Sequence, residues 1–388
     1  MLSDHRGRGR CGVTRRGDEV LELAKKLIEF NTSNPPGNEG ALAAFVCRFM
    51  ENLGLQVSTY EVSDGRPVVV GVLRGGREGT IVFNGHSDVV PAGAGWTTPP
   101  FEPIVREGHL HGRGSADMKG GLAAMLVAVA ELTQVPSGER PTVQLHVCPD
   151  EEDTGSGAIY LVERGLVKAA AAVFGEPTNL QVQIAHKGAV WMKAEFRGKS
   201  AHASVPNQGV NAVYKATSAI HRLLTQLQPR LDTRTHKLLG GPSFNVGLIQ
   251  GGTRVNTVPD RCEFAIDRRV LPGEDIAGCV EEMRSILGAD SLRVEHVEEP
   301  MEIAETEEIV AVARGCVREI TGHDRGIAGF PASTDARFYV NQAQVPSIIL
   351  GPGSISTAHA ADERVSVTEL EQAVDIYFGI ARGFQRRS

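Results

Sequence analysis

Histidines and carboxylates that follow predicted strands are the residues of this sequence that could carry out chemistry. The apolar run 81–83 leads into His86-Ser87-Asp88. Residues two apart on an extended chain point the same way, so His86 can bind a metal ion while Asp88 accepts a hydrogen bond from the other ring nitrogen. This spacing predicts a histidine ligand that a neighbouring carboxylate holds in place.

Further carboxylates and a second histidine follow other predicted strands or turns. They are Asp117 after Gly114-Ser115-Ala116, Glu151 and Glu152 in the acidic run 150–153, Glu176 after strand 170–174, and His359 after strand 347–350. Ligands of an open α/β sheet bind at the carboxyl ends of its strands, so these side chains are predicted to meet at one edge. Singly, each is explained as well by a helix cap, a solvated turn or a structural histidine.

As a set, these nitrogen and oxygen donors without a thiolate suit a divalent metal such as zinc. Five donors exceed what one catalytic zinc usually takes from a protein. We therefore expect one carboxylate to be shared between two ions.

The elements that must position these residues follow an α/β pattern. Short apolar strands alternate with helices through the first two hundred residues, which predicts a mostly parallel sheet flanked by helices. The predicted strands are 68–72, 80–83, 142–148 and 170–174, with helices at 118–134 and 156–164. After Pro300 the same pattern returns, with a helix at 305–321, a strand at 347–350 and a helix at 367–382.

The segment between these two α/β regions has a different pattern. Its strands alternate apolar and polar residues, and helices are predicted at 210–228 and 275–287, which indicates a two-layer α+β domain. We therefore predict a catalytic domain of residues 18–187 and 299–388, with residues 188–298 inserted as a second domain. A length of 388 residues, more than one hydrophobic core usually serves, also favours two domains.

Charge and composition exclude several classes of partner. Residues 1–17 carry five arginines against Asp4, a net +4, and are predicted to be a disordered basic arm. Because the whole chain has a formal net charge of −7, the rest carries −11, which argues against nucleic acid as a partner. Six scattered cysteines without a Cys-x-x-Cys pair suit a reducing compartment. Without a membrane-length apolar run or a secretory signal, we predict a cytoplasmic protein with no membrane partner.

Several motifs, taken together and in order, carry a resemblance to a known family. They are Gly85-His86-Ser87-Asp88, Gly112-Arg113-Gly114-Ser115-Ala116-Asp117-Met118-Lys119-Gly120-Gly121, Asp150-Glu151-Glu152, Gly175-Glu176-Pro177-Thr178, Ser200-Ala201-His202-Ala203, Asn256-Thr257-Val258-Pro259, Asp267-Arg268-Arg269 and residues 359–363. The chain resembles, over residues 18–384, the two-zinc amidohydrolases that include acetylornithine deacetylase, succinyl-diaminopimelate desuccinylase, aminoacylase and carboxypeptidase G. The resemblance implies a zinc-peptidase-like catalytic domain, with the inserted domain as lid and dimerisation domain.

The resemblance also implies the metal ligands. His86, Asp117 and Glu176 would hold one ion, and Asp117, Glu152 and His359 the other, with Asp117 as the bridge. Both ions would be divalent. Zinc is the expected metal, with cobalt or manganese as alternatives. Two such ions can share a water and lower its pKa.

Catalytic roles are implied for three further residues. Glu151 would act as general base, taking the proton of the shared water and passing it to the leaving amine. Asp88 would orient His86. His202, reaching the active site of a partner in a homodimer, would stabilise the tetrahedral oxyanion.

Substrate contacts are implied for a smaller group of residues. Asn256 and Arg269 match positions that contact the substrate carboxylate, and strand alternation sends only one of Arg268 and Arg269 toward the cleft. Lys187 and Gly353 are also expected to line the pocket.

The predicted reaction is metal-dependent hydrolysis of the amide bond of an N-acyl amino acid, as in the deacetylase and desuccinylase branch. A dipeptidase or carboxypeptidase of the same family is the alternative, because the metal site is common to all of them. A two-lobed binding protein without catalysis should have lost a ligand or the base, and here all six positions are intact.

Overall fold

A computed structural model of the chain describes residues 15–385. Most of the predicted basic arm, residues 1–14, lies outside the described residues, and the first helix begins at Arg15. The helices are α1 (Arg15–Ile28), α2 (Gly40–Asn52), α3 (Lys119–Leu132), α4 (Ser156–Glu163), α5 (Ala212–Arg222), α6 (Gln228–Leu231), α7 (Ile276–Leu287), α8 (Glu308–Thr321), α9 (Ala336–Asn341) and α10 (Val367–Gly383). A π-helical segment, Leu223–Leu227, joins α5 to α6.

The strands carry the same chain-order numbering. They are β1 (Gln56–Ser63), β2 (Arg66–Leu73), β3 (Arg77–His86), β4 (Ile104–Arg106), β5 (His109–His111), β6 (Pro141–Cys148), β7 (Ala171–Phe174), β8 (Val182–His186), β9 (Gly188–Arg197), β10 (Ser243–Gly251), β11 (Arg261–Val270), β12 (Ser291–Glu298), β13 (Met301–Glu302), β14 (Ile327–Phe330), β15 (Ser347–Ile349) and β16 (Arg364–Ser366).

The chain divides into two compact units. Of the residues that the structure describes, the first unit comprises 15–182, Thr306–Gly326 and 345–385, and the second comprises Gln183–Glu305 and Ile327–Gln344. The predicted division into a catalytic and an inserted domain, with boundaries at 187/188 and 298/299, stays a proposal. Among the described residues, no helix is long and apolar enough to cross a membrane.

The first unit is built on a mixed sheet whose strands lie in the order β1-β2-β6-β3-β7-β15. The central strand β3 runs parallel to both β6 and β7, and β7 runs parallel to β15. The strands β1 and β2 are antiparallel additions at one side. The sheet confirms the predicted fold class, a mostly parallel sheet flanked by helices.

The helices of the first unit cover this sheet because their apolar faces need burial. Helix α3 is apolar on all sides and almost entirely buried, and it packs against α1, α10 and strand β3. Helix α10 begins at the cap Ser366, whose hydroxyl accepts the N–H of Glu369, and its Tyr377 ring lies 5.6 Å from that of Phe83 on β3. Helix α2 packs on β1 and β2, and helix α4 packs on β1.

The second unit contains a four-stranded antiparallel sheet in the order β10-β11-β9-β12. Every second residue of β9 from Val190 to Phe196 and the alternating buried apolar residues of β11 form one core with apolar residues of α5 and α7. Helix α7 begins at Asp275, whose carboxylate accepts two backbone N–H groups, and it ends at Gly288 with φ +54. In the same unit, β13 pairs antiparallel with β8.

Candidate active site

The parallel strands of the first unit end side by side, and the predicted site residues follow them. His86, the last residue of β3, pairs with Cys148 at the end of β6, so the acidic turn after β6 lies beside His86. Strand β7 ends opposite Asn84 and leads directly into Glu176. The carboxyl edge of the sheet therefore gathers the histidine and the glutamates.

Asp117 approaches this edge from the start of helix α3. The helix can come close to the end of β7 because residue 121 is glycine: a Cβ at Gly121 would lie 2.2 Å from the carbonyl oxygen of Gly175. The carboxylate of Asp117 lies between two histidines, with Oδ1 3.1 Å from Nε2 of His86 and Oδ2 3.3 Å from Nε2 of His359. Each oxygen of Asp117 thus faces a different imidazole.

One glutamate completes each side of Asp117. Glu152 Oε2 lies 3.0 Å from His359 Nε2, and Glu176 Oε2 lies 3.8 Å from His86 Nε2. The structure therefore brings together all five predicted metal ligands in two groups that share Asp117.

A hydrogen bond also sets the ring nitrogen that His86 presents. His86 Nδ1 lies 2.9 Å from the main-chain oxygen of Asp88, which can only accept, so Nδ1 donates. In the neutral ring, Nε2 then carries the lone pair that faces Asp117 and Glu176.

The charges in this cluster show an excess of buried carboxylate. Burial raises the pKa of Glu176 to about 7, although His86 opposes the shift, and burial together with the charge of Asp117 raises the pKa of Glu152. Burial would raise the pKa of Asp117 as well, but hydrogen bonds from His359 and His86 outweigh it and lower that pKa. Hydrogen bonds to Asp117 and Glu152 raise the pKa of His359 to about 10.

The cluster therefore requires positive charge between its carboxylates. Its residues fit two divalent cations, because two imidazoles and three carboxylates are the nitrogen and oxygen donors that such ions take. Ligand atoms of His86, Asp117 and Glu152 lie within 4.8 Å of one another. A candidate metal site is thus present in the first unit, with Asp117 placed to bridge.

The Asp88 carboxylate has a different contact from the predicted one. Its nearer oxygen is 3.7 Å from His86 Nδ1, beyond hydrogen-bond distance, and that ring bonds to the Asp88 main chain instead. The carboxylate accepts the backbone N–H groups of Glu151 and Glu152, each at 3.2 Å. The physical reason is that β3 ends at His86, so strand alternation does not extend to Asp88. Asp88 therefore holds the turn that carries the predicted base.

Asn34 belongs to the site, although no motif of the sequence points to it. Its buried side-chain amide donates to Asp88 Oδ2 and to Asp150 Oδ1, both at 2.9 Å. Arg66 holds the same oxygen of Asp150 at 2.8 Å. The Asn34-Pro35-Pro36-Gly37 sequence signals a turn, but these contacts join residues far apart in the chain, so local pattern could not reveal them.

In the second unit, His202 and Asn256 lie on adjacent segments. Residue His202 pairs with Thr257, and the main-chain oxygen of Asn256 accepts the N–H of Ala203 at 3.0 Å. The exposed His202 ring accepts the Ser204 N–H at Nδ1, 3.2 Å away. In the neutral ring the proton is then on Nε2, which is a hydrogen-bond donor.

The two neighbouring arginines of β11 have different environments. Arg268 is fully buried, and its guanidinium lies 3.3 Å from the carboxylate of Glu274. The Arg269 side chain is 31% exposed and pairs with Asp267 at 2.8 Å. Only Arg269 of the two is therefore accessible to a substrate.

Lys187 and Gly353 were the remaining predicted substrate contacts. Lys187 donates to the carbonyl of Gly241 at 2.6 Å, and burial lowers its pKa, with Arg269 and Arg268 adding to the shift. Gly353 is buried in the first unit, its N–H donates to Glu369, and a Cβ there would lie 3.0 Å from Ala116. Gly353 thus packs beside the Asp117 loop, and its substrate contact stays a prediction.

Comparisons with known proteins identify the family of the chain. Residues 82–383 match the model of peptidase family M20/M25/M40. An acetylornithine deacetylase from Proteus mirabilis is 31% identical over 385 residues, covering 94% of this chain and 96% of its own. A probable succinyl-diaminopimelate desuccinylase from Staphylococcus epidermidis is 28% identical over 408 residues, covering 94% and 98%.

Solved structures show the same fold. An M20 family metallo-carboxypeptidase from Sulfolobus solfataricus has a TM-score of 0.79 at 18% identity, covering 94% of this chain and 99% of its own. A dinuclear metal-binding peptidase of the M20 family from Bacillus subtilis has a TM-score of 0.71 at 15% identity, covering 95% and 98%. The chain therefore belongs to peptidase family M20/M25/M40 and is a hydrolytic enzyme.

Proposed function

We propose that this enzyme hydrolyses the amide bond of an N-acyl amino acid and releases a free amine and a small carboxylate. The observation that carries the proposal is the position of Asp117, with one oxygen toward His86 and the other toward His359. A carboxylate with one oxygen toward each group of ligands can be shared by a pair of hydrolytic metal ions. The deacetylase and desuccinylase relatives support the choice of an N-acyl amino acid as substrate.

Two divalent ions, zinc first with cobalt and manganese as alternatives, would supply Lewis acidity that polarises the amide carbonyl and acidifies the attacking water. His86 and Glu176 would hold one ion, and Glu152 and His359 would hold the other. Asp117 would bind both ions. Glu151 sits next to the ligand Glu152 on the turn held by Asp88. It would take the proton of the attacking water as the C–O bond forms and give it to the amine nitrogen as the C–N bond breaks.

Residues of the second unit would bind and stabilise the reacting substrate. The Nε2–H of His202, reaching the active site of the partner in a homodimer, would be a donor to the tetrahedral oxyanion, a contact typically worth about 3–4 kcal/mol. The Arg269 guanidinium, with Lys187 nearby and Asn256 as an amide donor, would bind the substrate carboxylate. These roles continue the family resemblance and are supported by the exposure of His202, Asn256 and Arg269.

We further propose that the enzyme is a homodimer formed through strand β10. This strand lies at the edge of the four-stranded sheet, where Leu248 is 73% exposed and Ile249 is 54% exposed. An exposed apolar edge strand is a template for pairing, and a second copy of the same strand can complete it. Light scattering should give twice the chain mass for the wild type and the chain mass for Leu248→Asp.

The proposal is tested by a hydrolysis panel of N-acetyl, N-succinyl and N-formyl amino acids beside simple dipeptides. Zinc-loaded protein should cleave at least one N-acyl amino acid, and chelator-treated protein should cleave none. Cleavage of dipeptides alone would favour the dipeptidase or carboxypeptidase alternative. Absence of cleavage of any amide by protein with two ions bound would contradict the proposal.

The role of Glu151 is tested by Glu151→Gln, which should nearly abolish turnover without changing metal content. Asp153→Asn is the matched control, because it removes the same charge from the same acidic turn at an exposed position. The control should keep wild-type activity. Retention of activity by Glu151→Gln would exclude Glu151 as the base.

A further inference from the structure

A buried carboxylate outside the ligand set holds the loop that carries Asp117. Glu363 is fully buried, and its Oε1 accepts the backbone N–H groups of Ala116 and Asp117 at 2.9 and 3.0 Å. Its Oε2 accepts the N–H of Gly114 at 3.1 Å. Three main-chain donors of one short loop therefore converge on a single side chain.

Arg113 pairs with this carboxylate and extends the connection to two other loops. Its Nη1 lies 2.6 Å from Glu363 Oε2, and both side chains are at most 1% exposed. Its Nη2 donates to the main-chain oxygens of Ala92, at 3.2 Å, and His359, at 3.4 Å. The guanidinium also lies 5.2 Å from the ring centre of Trp96.

The loops joined in this way are the ones that carry metal ligands. Arg113 contacts the carbonyl of Ala92, in the segment that follows His86, and the carbonyl of His359 itself. Glu363 accepts the backbone N–H groups of the loop that ends at Asp117. The backbone adds one more link, from the N–H of Gly112 to the oxygen of Glu363. Asp117 and His359 are thus connected through main-chain hydrogen bonds to Glu363 and Arg113.

We propose that the buried ion pair of Arg113 and Glu363 is a positioning clamp that holds Asp117 and His359 at the separation needed to share and bind two metal ions. The inference rests on the proposed di-metal function. A fully buried ion pair contributes little net stability compared with apolar residues of the same size, so its value here is in fixing geometry.

The contacts explain why an uncharged isostere cannot replace Glu363. A glutamine has one acceptor oxygen and one NH₂ group. In either orientation the NH₂ group faces donors, which are the N–H groups of Ala116 and Asp117 or those of Gly114 and Arg113. Lysine at position 113 keeps the charge, but its single ammonium cannot reach both Glu363 and the two carbonyl oxygens.

The test measures Co²⁺ binding to the full-length metal-free chain by chelator competition, together with the visible absorption spectrum of the Co²⁺ protein. Glu363→Gln and Arg113→Lys are compared with the wild type. The control is Glu282→Gln, which disrupts another ion pair, with Arg234 at 2.8 Å, on helix α7 of the second unit. Arg113→Lys keeps the experiment informative if Glu363→Gln does not fold.

The clamp predicts that the wild type binds two Co²⁺ ions and that each clamp variant binds at least one of them about 10- to 100-fold more weakly, with an altered spectrum. Glu282→Gln should change thermal stability only. Two ions bound by both clamp variants with wild-type affinity and spectrum would overturn the clamp and leave the proposed function standing. A wild type that binds no Co²⁺ would overturn both.

Discussion

Substitution of Asp88 by asparagine distinguishes two roles that this carboxylate could have. Its oxygens accept the N–H groups of Glu151 and Glu152, and its contact with His86 runs through the main chain, which the substitution leaves in place. We therefore expect Asp88→Asn to disturb the turn of the general base and to spare the histidine ligand.

The loss of stability expected for Asp88→Asn follows from the hydrogen bonds of the Asp88 carboxylate. An asparagine can keep its oxygen where Oδ2 accepts from Asn34 and Glu152, but its NH₂ group then faces the N–H of Glu151. One hydrogen bond to a charged group is lost and one donor is left without a partner, a cost of about 2–4 kcal/mol. For a unit of this size each kcal/mol lowers Tm by about 2–4 °C, so Tm should fall by about 5–15 °C.

The assay combines differential scanning calorimetry, steady-state kinetics and metal competition on Asp88→Asn, with Ser87→Ala as control. Ser87 is a buried neighbour whose hydroxyl donates to the carbonyl of Cys148, so its loss should cost about 1 kcal/mol without moving the base. Asp88→Asn should lower kcat and change metal affinity less than about threefold. A loss of about 10- to 100-fold in metal affinity with kcat intact would show that the carboxylate serves the metal ligands rather than the general base and would refute the reasoning.

Other substitutions test the second unit and the buried histidine of β6. Arg269→Met should raise KM about tenfold or more at unchanged Tm. Arg268→Met, which breaks a buried ion pair, should lower Tm at unchanged KM. The reverse pattern would contradict the assignment of Arg269 as the residue that binds the substrate carboxylate. His202→Ala should reduce kcat by about 10²- to 10³-fold in the hydrolysis assay and leave Tm nearly unchanged, and a small kcat effect would remove His202 from the oxyanion site. Burial lowers the pKa of His146 to about 3 from the usual 6.5, so between these values only the unfolded chain takes up the proton and stability falls with falling pH. His146→Leu should therefore make the free energy of unfolding, measured in urea, fall less steeply below pH 6.5, by up to about 1.4 kcal/mol per pH unit, and an identical slope would contradict the buried neutral ring.

Sequence pattern was sufficient to predict the strands that end at the site. The predicted strand 80–83 is part of β3, and the acidic run 150–153 follows β6 after Pro149, so the edge where their ligands meet could be inferred from the order of elements alone. The helix from residue 118 was equally visible, because an apolar stretch of that length can be stable only when buried.

The contacts that hold the site could not be predicted in the same way. The Asp88 carboxylate turns to the Glu151 N–H because β3 ends two residues earlier, and where a strand ends depends on its neighbours. Asn34 reaches Asp88 across 54 residues of chain, a tertiary contact without a local signal. Alternation shows that only one of Arg268 and Arg269 can face the substrate, but it does not show which of the two faces of β11 is buried. The burial of the β11 side chains in the structure was needed to identify Arg269 as the accessible one.

The central claim is that Asp117 bridges two metal ions in a hydrolytic site. The most direct measurement is anomalous diffraction at the zinc absorption edge from crystals of the zinc-loaded protein. The geometry predicts two anomalous peaks on opposite sides of the Asp117 carboxylate, one beside His86 and Glu176 and the other beside Glu152 and His359. A single peak, or no peak at these residues, would contradict the account.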